Sequence, residues 1–232
     1  TRHGCGGREA EQKEAALEMS DKKQQLDQER FWNGFWPKVQ RGTFFDADAH
    51  TKPLEAVLKD LPGGRAFVPG CGRGYDCILL AEGTKRVVTG LDISEIAVQE
   101  AVKYRTERKV EKTQVDYVAG DFFKFAPGHS FDVIFDYTFL CALPPELREG
   151  WAKQMATLIK KDEGRLATLI FPIVKKEGGP PYAMSVELVE SLLKPRGFVR
   201  VSLDTNVKDS HMGRQGKEAM AIWKLPSQKS ST

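Results

Sequence analysis

Residues 65–81 read RAFVPGCGRGYDCILLA. A short apolar run, 65–69, meets a turn of alternating glycines, 70–74, and the turn leads into a second apolar segment, 75–81. The first run reads as a buried strand and the last as a helix, with the glycines as punctuation between them. Glycine at such a junction lets the backbone turn tightly and approach a ligand with no Cβ in the way. In an open α/β sheet, ligands bind at the carboxyl ends of the strands, where this turn lies.

Outward from this unit the pattern keeps alternating. Further strands are expected at 86–91, 115–119, 131–136, 165–171, 198–203 and 219–223. Helices are expected at 51–61, from the N-cap Ser94 to about 108, at 145–160 and at 185–194. This spacing predicts an α/β fold: one Rossmann-like domain with a mostly parallel seven-stranded sheet, helices on both faces and an antiparallel edge from the two late strands. Upstream, residues 20–41 are expected to form a helical cap, with Trp32 and Trp36 four apart on one face. The domain is expected to span 20–226, after a polar, poorly ordered extension at 1–19 and before a frayed tail at 227–232.

Bulk composition narrows the function classes. The 232 residues are 41% apolar and 29% charged, with a net charge of +3. The basic surplus is scattered, which reads as a solvated surface and not as a nucleic-acid footprint. No apolar run is long enough to cross a bilayer, and the first twenty residues lack a signal-peptide centre. Cys5, Cys71, Cys77 and Cys141 form no CxxC pair, and the four histidines lie far apart. Neither a disulfide framework nor a metal site is expected, and the cytoplasm is the expected compartment.

The chemistry-bearing residues sit at predicted strand ends. The glycines run G-x-G-x-G from Gly70, and Tyr75 stands where a dinucleotide fingerprint needs its third glycine. That disfavours a pyrophosphate and favours a ligand without phosphates, such as S-adenosylmethionine. Asp92, about twenty residues beyond the turn, can accept both ribose hydroxyl protons of a nucleoside; its plainer reading is a carboxylate offsetting a helix dipole. Asp121 follows the third strand and could take an adenine amino group while Phe122 packs on the ring; otherwise it is a turn residue. Asp136 ends a strand that reads as buried, and a buried carboxylate needs a partner, which a ligand ammonium or sulfonium would supply.

Several longer stretches carry a resemblance: FWNGFW (31–36), FVPGCGRGYD (67–76), GLDIS (90–94), FDVIFDYTFLCALPPELREGWA (131–152), GGPPY (178–182) and GKEAMAIWK (216–224). With these the sequence resembles the thiopurine methyltransferase superfamily, and within it the plant halide and thiol methyltransferases known as harmless-to-ozone-layer proteins. The resemblance implies a class I methyltransferase domain with S-adenosyl-L-methionine as cofactor and no metal. It implies that Trp32, Trp36 and Phe45 close over the cofactor and that Gly70 and Gly72 contact its methionine part. Asp92, with Ile93 beside it, would hold the ribose, Asp121 with Phe122 the adenine, and Asp136 the methionine amino group. Tyr137 and Tyr182 would line the acceptor pocket, so Asp136, Tyr137 and Tyr182 form the expected catalytic set. Two departures stand out. Val68 occupies the place where many methyltransferases carry an acid, and Phe45-Asp46 stands where the family has tryptophan and aspartate. Trp32 and Trp36 also suit plain helix packing, and Tyr182 a loop anchor.

The expected reaction is in-line methyl transfer to a small anionic nucleophile: thiolate, thiocyanate, hydrogen sulfide or halide. Alignment behind the methyl group can contribute about 7–11 kcal/mol, and no general base is needed for an acceptor that is already ionised. The expected partner is a small molecule, with no nucleic acid or membrane, and the chain is expected to be monomeric. The rival readings are an O- or N-methyltransferase, a non-catalytic cofactor-binding module, and a nicotinamide oxidoreductase. The absent third glycine counts against the last.

Overall fold

The computed structural model describes residues 27–227. The extension expected over 1–19, the first residues of the predicted cap helix and the tail from 228 lie outside the described residues. Seven strands form one sheet in the order β3-β2-β1-β4-β5-β7-β6. They are β1 (Arg65–Pro69), β2 (Val87–Asp92), β3 (Val115–Ala119), β4 (Val133–Tyr137), β5 (Arg165–Ile170), β6 (Val199–Asp204) and β7 (Ala219–Lys224). β1 to β5 run parallel to one another, whereas β7 runs antiparallel to both β5 and β6. The chain order therefore reverses between β1 and β4, and the crevice above that reversal is where an open α/β sheet binds ligands.

The helices are α1 (residues 27–35), α2 (Lys52–Val57), α3 (Tyr75–Ala81), α4 (Glu95–Glu107), α5 (Arg148–Leu158) and α6 (Val186–Leu193). Each strand unit agrees with the sequence reading to within one or two residues. Three helices are shorter than expected, for local reasons. The cap helix passes at Trp36–Lys38 into a 3-10 turn containing Pro37, which has no N–H to continue the α-helical ladder. The 51–61 segment divides into α2 and a 3-10 turn at Leu58–Asp60. Pro145 begins a 3-10 turn, Pro145–Leu147, that feeds α5. Ser94 caps α4 as expected, accepting the Ala97 N–H at 3.4 Å.

Two layers of apolar side chains sandwich the sheet. On one face Phe67 stacks on Phe131 at 4.9 Å, beside the fully buried Trp151 and Trp223. On the other, Leu80, Val88, Val133 and Phe135 pack beneath α3. Burying each such side chain contributes roughly 1.5–3 kcal/mol. This rigid slab leaves the carboxyl ends of β1, β2 and β4 as the platform for the site.

Candidate active site

The site begins at the turn after β1. Gly70 and Gly72 have φ of +58° and +53°, a left-handed backbone that side chains rarely adopt. A Cβ on Gly70 would stand 2.5 Å from the Phe139 ring, so only glycine admits that close approach. The turn is tied to β2 twice. Cys71 N–H donates to the Leu91 carbonyl at 3.0 Å, and Gly72 N–H donates to Asp92 Oδ2 at 3.0 Å. Asp92 Oδ1 accepts the Ser94 N–H at 3.0 Å. Burial pushes the Asp92 carboxyl up to about 6 against the pull of these amides.

The N-terminal cap folds over this platform. Trp32 and Trp36 both meet the Phe45 ring edge-on, at 5.7 and 5.4 Å. Ser94 Oγ donates to Asn33 Oδ1 at 2.7 Å, joining α1 to the end of β2. The strap after α1 is anchored by Arg73, only 6% exposed. Arg73 donates to Asp46 at 2.6 Å and to the Val39 carbonyl at 2.7 Å, and it pairs with Glu100. Its guanidinium also lies 5.6 Å from the Trp36 ring centre. Further along, Thr51 donates from N and Oγ1 to the two oxygens of Asp76.

Cap and platform enclose a cavity of about 460 Å³. Its walls include Trp32, Trp36, Phe45, Gly70, Gly72, Asp92, Ile93 and Tyr137, so eight of the residues singled out in the sequence converge there. Four do not line it. Asp121 accepts the Phe123 N–H at 2.9 Å and caps a 3-10 turn. Phe122 is buried in the core, edge-on to Phe139, which does line the cavity. Asp136, 4% exposed, spends both oxygens internally, accepting Trp151 Nε1–H at 2.8 Å and the Leu140 N–H at 3.2 Å. Tyr182 lies beneath the Arg148 guanidinium at 5.5 Å, while the preceding Pro180 and Pro181 form the wall. Of the three strand-end carboxylates, Asp92 alone borders the cavity.

Arg214 is the feature that sequence reasoning missed. It precedes β7 and lines the cavity. One nitrogen donates to the Tyr137 hydroxyl at 2.5 Å and another to the Phe45 carbonyl at 2.8 Å. The guanidinium lies over the Phe171 and Tyr137 rings at 5.0 and 5.1 Å. Unlike Arg73, it forms no ion pair with a carboxylate among the described residues. Tyr137 in turn donates to Glu218 Oε1. Burial pushes the Tyr137 phenol well up; Arg214 opposes this and Glu218 reinforces it. Cys141, also in the wall, is raised by burial to about 12 and stays a thiol. Thr138 holds φ of +61° at the end of β4. That is a strained conformation for a β-branched residue, of the kind concentrated at functional sites.

A seven-stranded sheet of this order, with a glycine turn after β1 and a carboxylate at the end of β2, is the class I methyltransferase fold. The chain belongs to the thiopurine S-methyltransferase family, whose family model matches residues 27–224. It is 46% identical over 176 residues to thiocyanate methyltransferase 1 of Brassica oleracea, a match covering 74% of this chain and 76% of that protein. It is 44% identical over 173 residues to probable thiol methyltransferase 2 of Arabidopsis thaliana, covering 74% of each chain. The fold is also that of magnesium protoporphyrin IX methyltransferase from Synechocystis PCC 6803, solved with bound SAH, at a TM-score of 0.60, 20% identity and coverage of 76% and 83%. Among the described residues no helix is long and apolar enough to cross a membrane.

Proposed function

We propose that this chain transfers a methyl group from S-adenosylmethionine to a small anionic nucleophile: a thiolate, thiocyanate, hydrogen sulfide or a halide. The cofactor fits the residues present. The left-handed turn at Gly70 and Gly72 leaves a cradle without side chains, Asp92 borders it as a hydrogen-bond acceptor, and aromatic faces that suit a sulfonium close it. Bound there, the cofactor supplies an electrophilic methyl group on a positively charged sulfur.

In this reading the chain's own residues bind, orient and exclude water. Gly70 and Gly72 admit the methionine part, Asp92 and Ile93 hold the ribose, and Trp32, Trp36 and Phe45 shut the cavity. Asp136 acts indirectly, shaping the turn that carries Tyr137 and Phe139. Arg214 presents N–H donors to an anion, Tyr137 stands beside it in the wall, and Phe135, Phe171 and the prolines keep its surroundings weakly polar. A preorganised cation in a water-poor pocket holds an anion without the reorganisation that bulk solvent demands. The same reading takes residues 20–226 as one catalytic domain. It works as a cytoplasmic monomer on a small molecule, without nucleic acid. Support comes from cavity walls built within one chain and from Cys71, Cys77 and Cys141 as free thiols.

The observation that carries the proposal is Arg214, a cavity-lining guanidinium with no carboxylate partner among the described residues. The test is transfer of labelled methyl over a panel of iodide, bromide, thiocyanate, sulfide and an aromatic thiol, with a catechol and a primary amine as neutral-acceptor controls. Product from the anions supports the proposal. Product from the catechol or amine alone would overturn it.

A further inference from the structure

Glu218 immediately precedes β7 and is 3% exposed. Its backbone neighbourhood is fixed, because the Ile173 N–H donates to the Lys217 carbonyl at 2.8 Å. Oε1 accepts the Tyr137 hydroxyl, but Oε2 is buried without a hydrogen-bond partner among the described residues. An unmatched buried carboxylate oxygen is costly, and such a group in a native fold calls for an explanation. Glu218 does not line the cavity; Tyr137, in front of it, does.

We infer that Glu218 takes the proton, through Tyr137, from acceptors that arrive as neutral thiols or hydrogen sulfide. The inference rests on the methyl-transfer reading and extends it to acceptors not already ionised. The acceptor S–H bond breaks and its proton moves to Tyr137 Oη. The phenol's own proton moves at the same time to Glu218, so the tyrosine stays neutral throughout. No redox change occurs. Negative charge leaves Glu218 and appears on sulfur, where Arg214 offers a cation. After the sulfur has been methylated and the product has left, Glu218 returns its proton to solvent by the same path.

The surroundings suit a relay. Tyr137 is held protonated by burial and by Glu218, so its hydroxyl is present across the working range. Among the described residues, Arg214 faces Tyr137 directly, and His211, Asp76 and Cys141 stand near Arg214 in the same cavity wall. His211 is lowered, first by burial and then by Arg214, and Cys141 is raised by burial. Lys217 is turned away, with Nζ donating to the Gly213 carbonyl at 2.9 Å.

The test compares wild type with Glu218→Gln. It reads the ratio of kcat/KM for a neutral aliphatic thiol to that for iodide, from pH 6.5 to 9.5. A thiol of pKa about 8.5 is only ~3% ionised at pH 7, so loss of the relay should lower the ratio about 30-fold there. The loss should shrink below about twofold at pH 9.5, where the thiol ionises unaided. Glu218→Asp should recover part of it, and Tyr137→Phe, which cuts the same path, should reproduce the pH-dependent loss if Glu218→Gln does not fold. An unchanged ratio at pH 7, or a loss independent of pH, would overturn the relay. If wild type methylates iodide but no thiol, the relay alone falls; if it methylates neither, the methyl-transfer reading falls with it.

Discussion

The Gly72 amide donates to the Asp92 carboxylate at 3.0 Å, binding the glycine turn of β1 to the acidic tip of β2. One oxygen of Asp92 thus shapes the cradle, and the other caps the approach to α4 through Ser94. The residue proposed to hold the cofactor ribose is also the residue that fixes the backbone beneath it.

Replacing Asp92 with alanine should therefore weaken cofactor binding severely. It removes the acceptor for the ribose hydroxyls and leaves the Gly72 and Ser94 amides unpaired. Hydrogen bonds to a charged group are worth about 1.5–3 kcal/mol each, so the dissociation constant should rise at least ~100-fold. Calorimetric titration with S-adenosylmethionine checks this, and full affinity in the variant would remove Asp92 from the site.

The raised Asp92 carboxyl carries a pH signature. Its value of about 6 in the folded protein lies above the ordinary carboxylate range, so the folded state binds this proton more tightly than the unfolded one. Asp92's contribution to stability therefore falls as pH rises from about 4 through 6. Binding has the opposite sign, because only the carboxylate accepts both hydroxyl protons. Cofactor affinity should be flat above about pH 7 and should fall roughly tenfold per unit below 6. Titrations at pH 5, 6, 7 and 8 read this directly.

Arg73 anchors the cap by pairing with Asp46 and Glu100. Arg73→Met strands Asp46 in the interior, and breaking such a buried pair costs about 3–5 kcal/mol. The variant should melt well below wild type and expose the strap between α1 and α2. Hydrogen exchange should then show lost protection across residues 36–51, with protection in β4 and β5 retained.

Asp136 serves the protein's own donors. Asp136→Ala leaves the Trp151 indole N–H and the Leu140 amide without an acceptor, at about 1–3 kcal/mol each. Thermal unfolding should register a large loss. Cofactor affinity should fall less than in Asp92→Ala, because Asp136 acts only through the turn that carries Tyr137 and Phe139.

The parts of the site that are local in sequence were legible in it. The G-x-G-x-G turn and Asp92 lie about twenty residues apart across one strand–helix–strand unit, and the spacing alone brings them together. Asp136 was legible as a buried carboxylate requiring a partner, but its partner is the Trp151 indole, which only the packing of α5 onto the sheet supplies. Phe122 reads in the sequence as a ring facing a ligand; its place in the core is set by Phe67, in the middle of β1, and by Phe139, just after β4. Arg214 and Glu218 were not legible. Arg214 meets Phe45 across 169 sequence positions and Tyr137 across 77, contacts created by the antiparallel insertion of β7 beside β5. No periodicity or spacing in a single sequence encodes such a meeting.

In the proposed reaction Arg214 holds an anion behind the methyl group. The most direct measurement is kcat/KM for labelled methyl transfer to iodide by wild type and by Arg214→Met, with S-adenosylmethionine affinity measured on the same samples. Transfer by wild type is expected, with a loss of about 30- to 100-fold in the variant, equivalent to a charge-assisted contact of about 2–3 kcal/mol, and with cofactor affinity changed far less. Equal rates in the two proteins, or no methyl iodide from either, would contradict it.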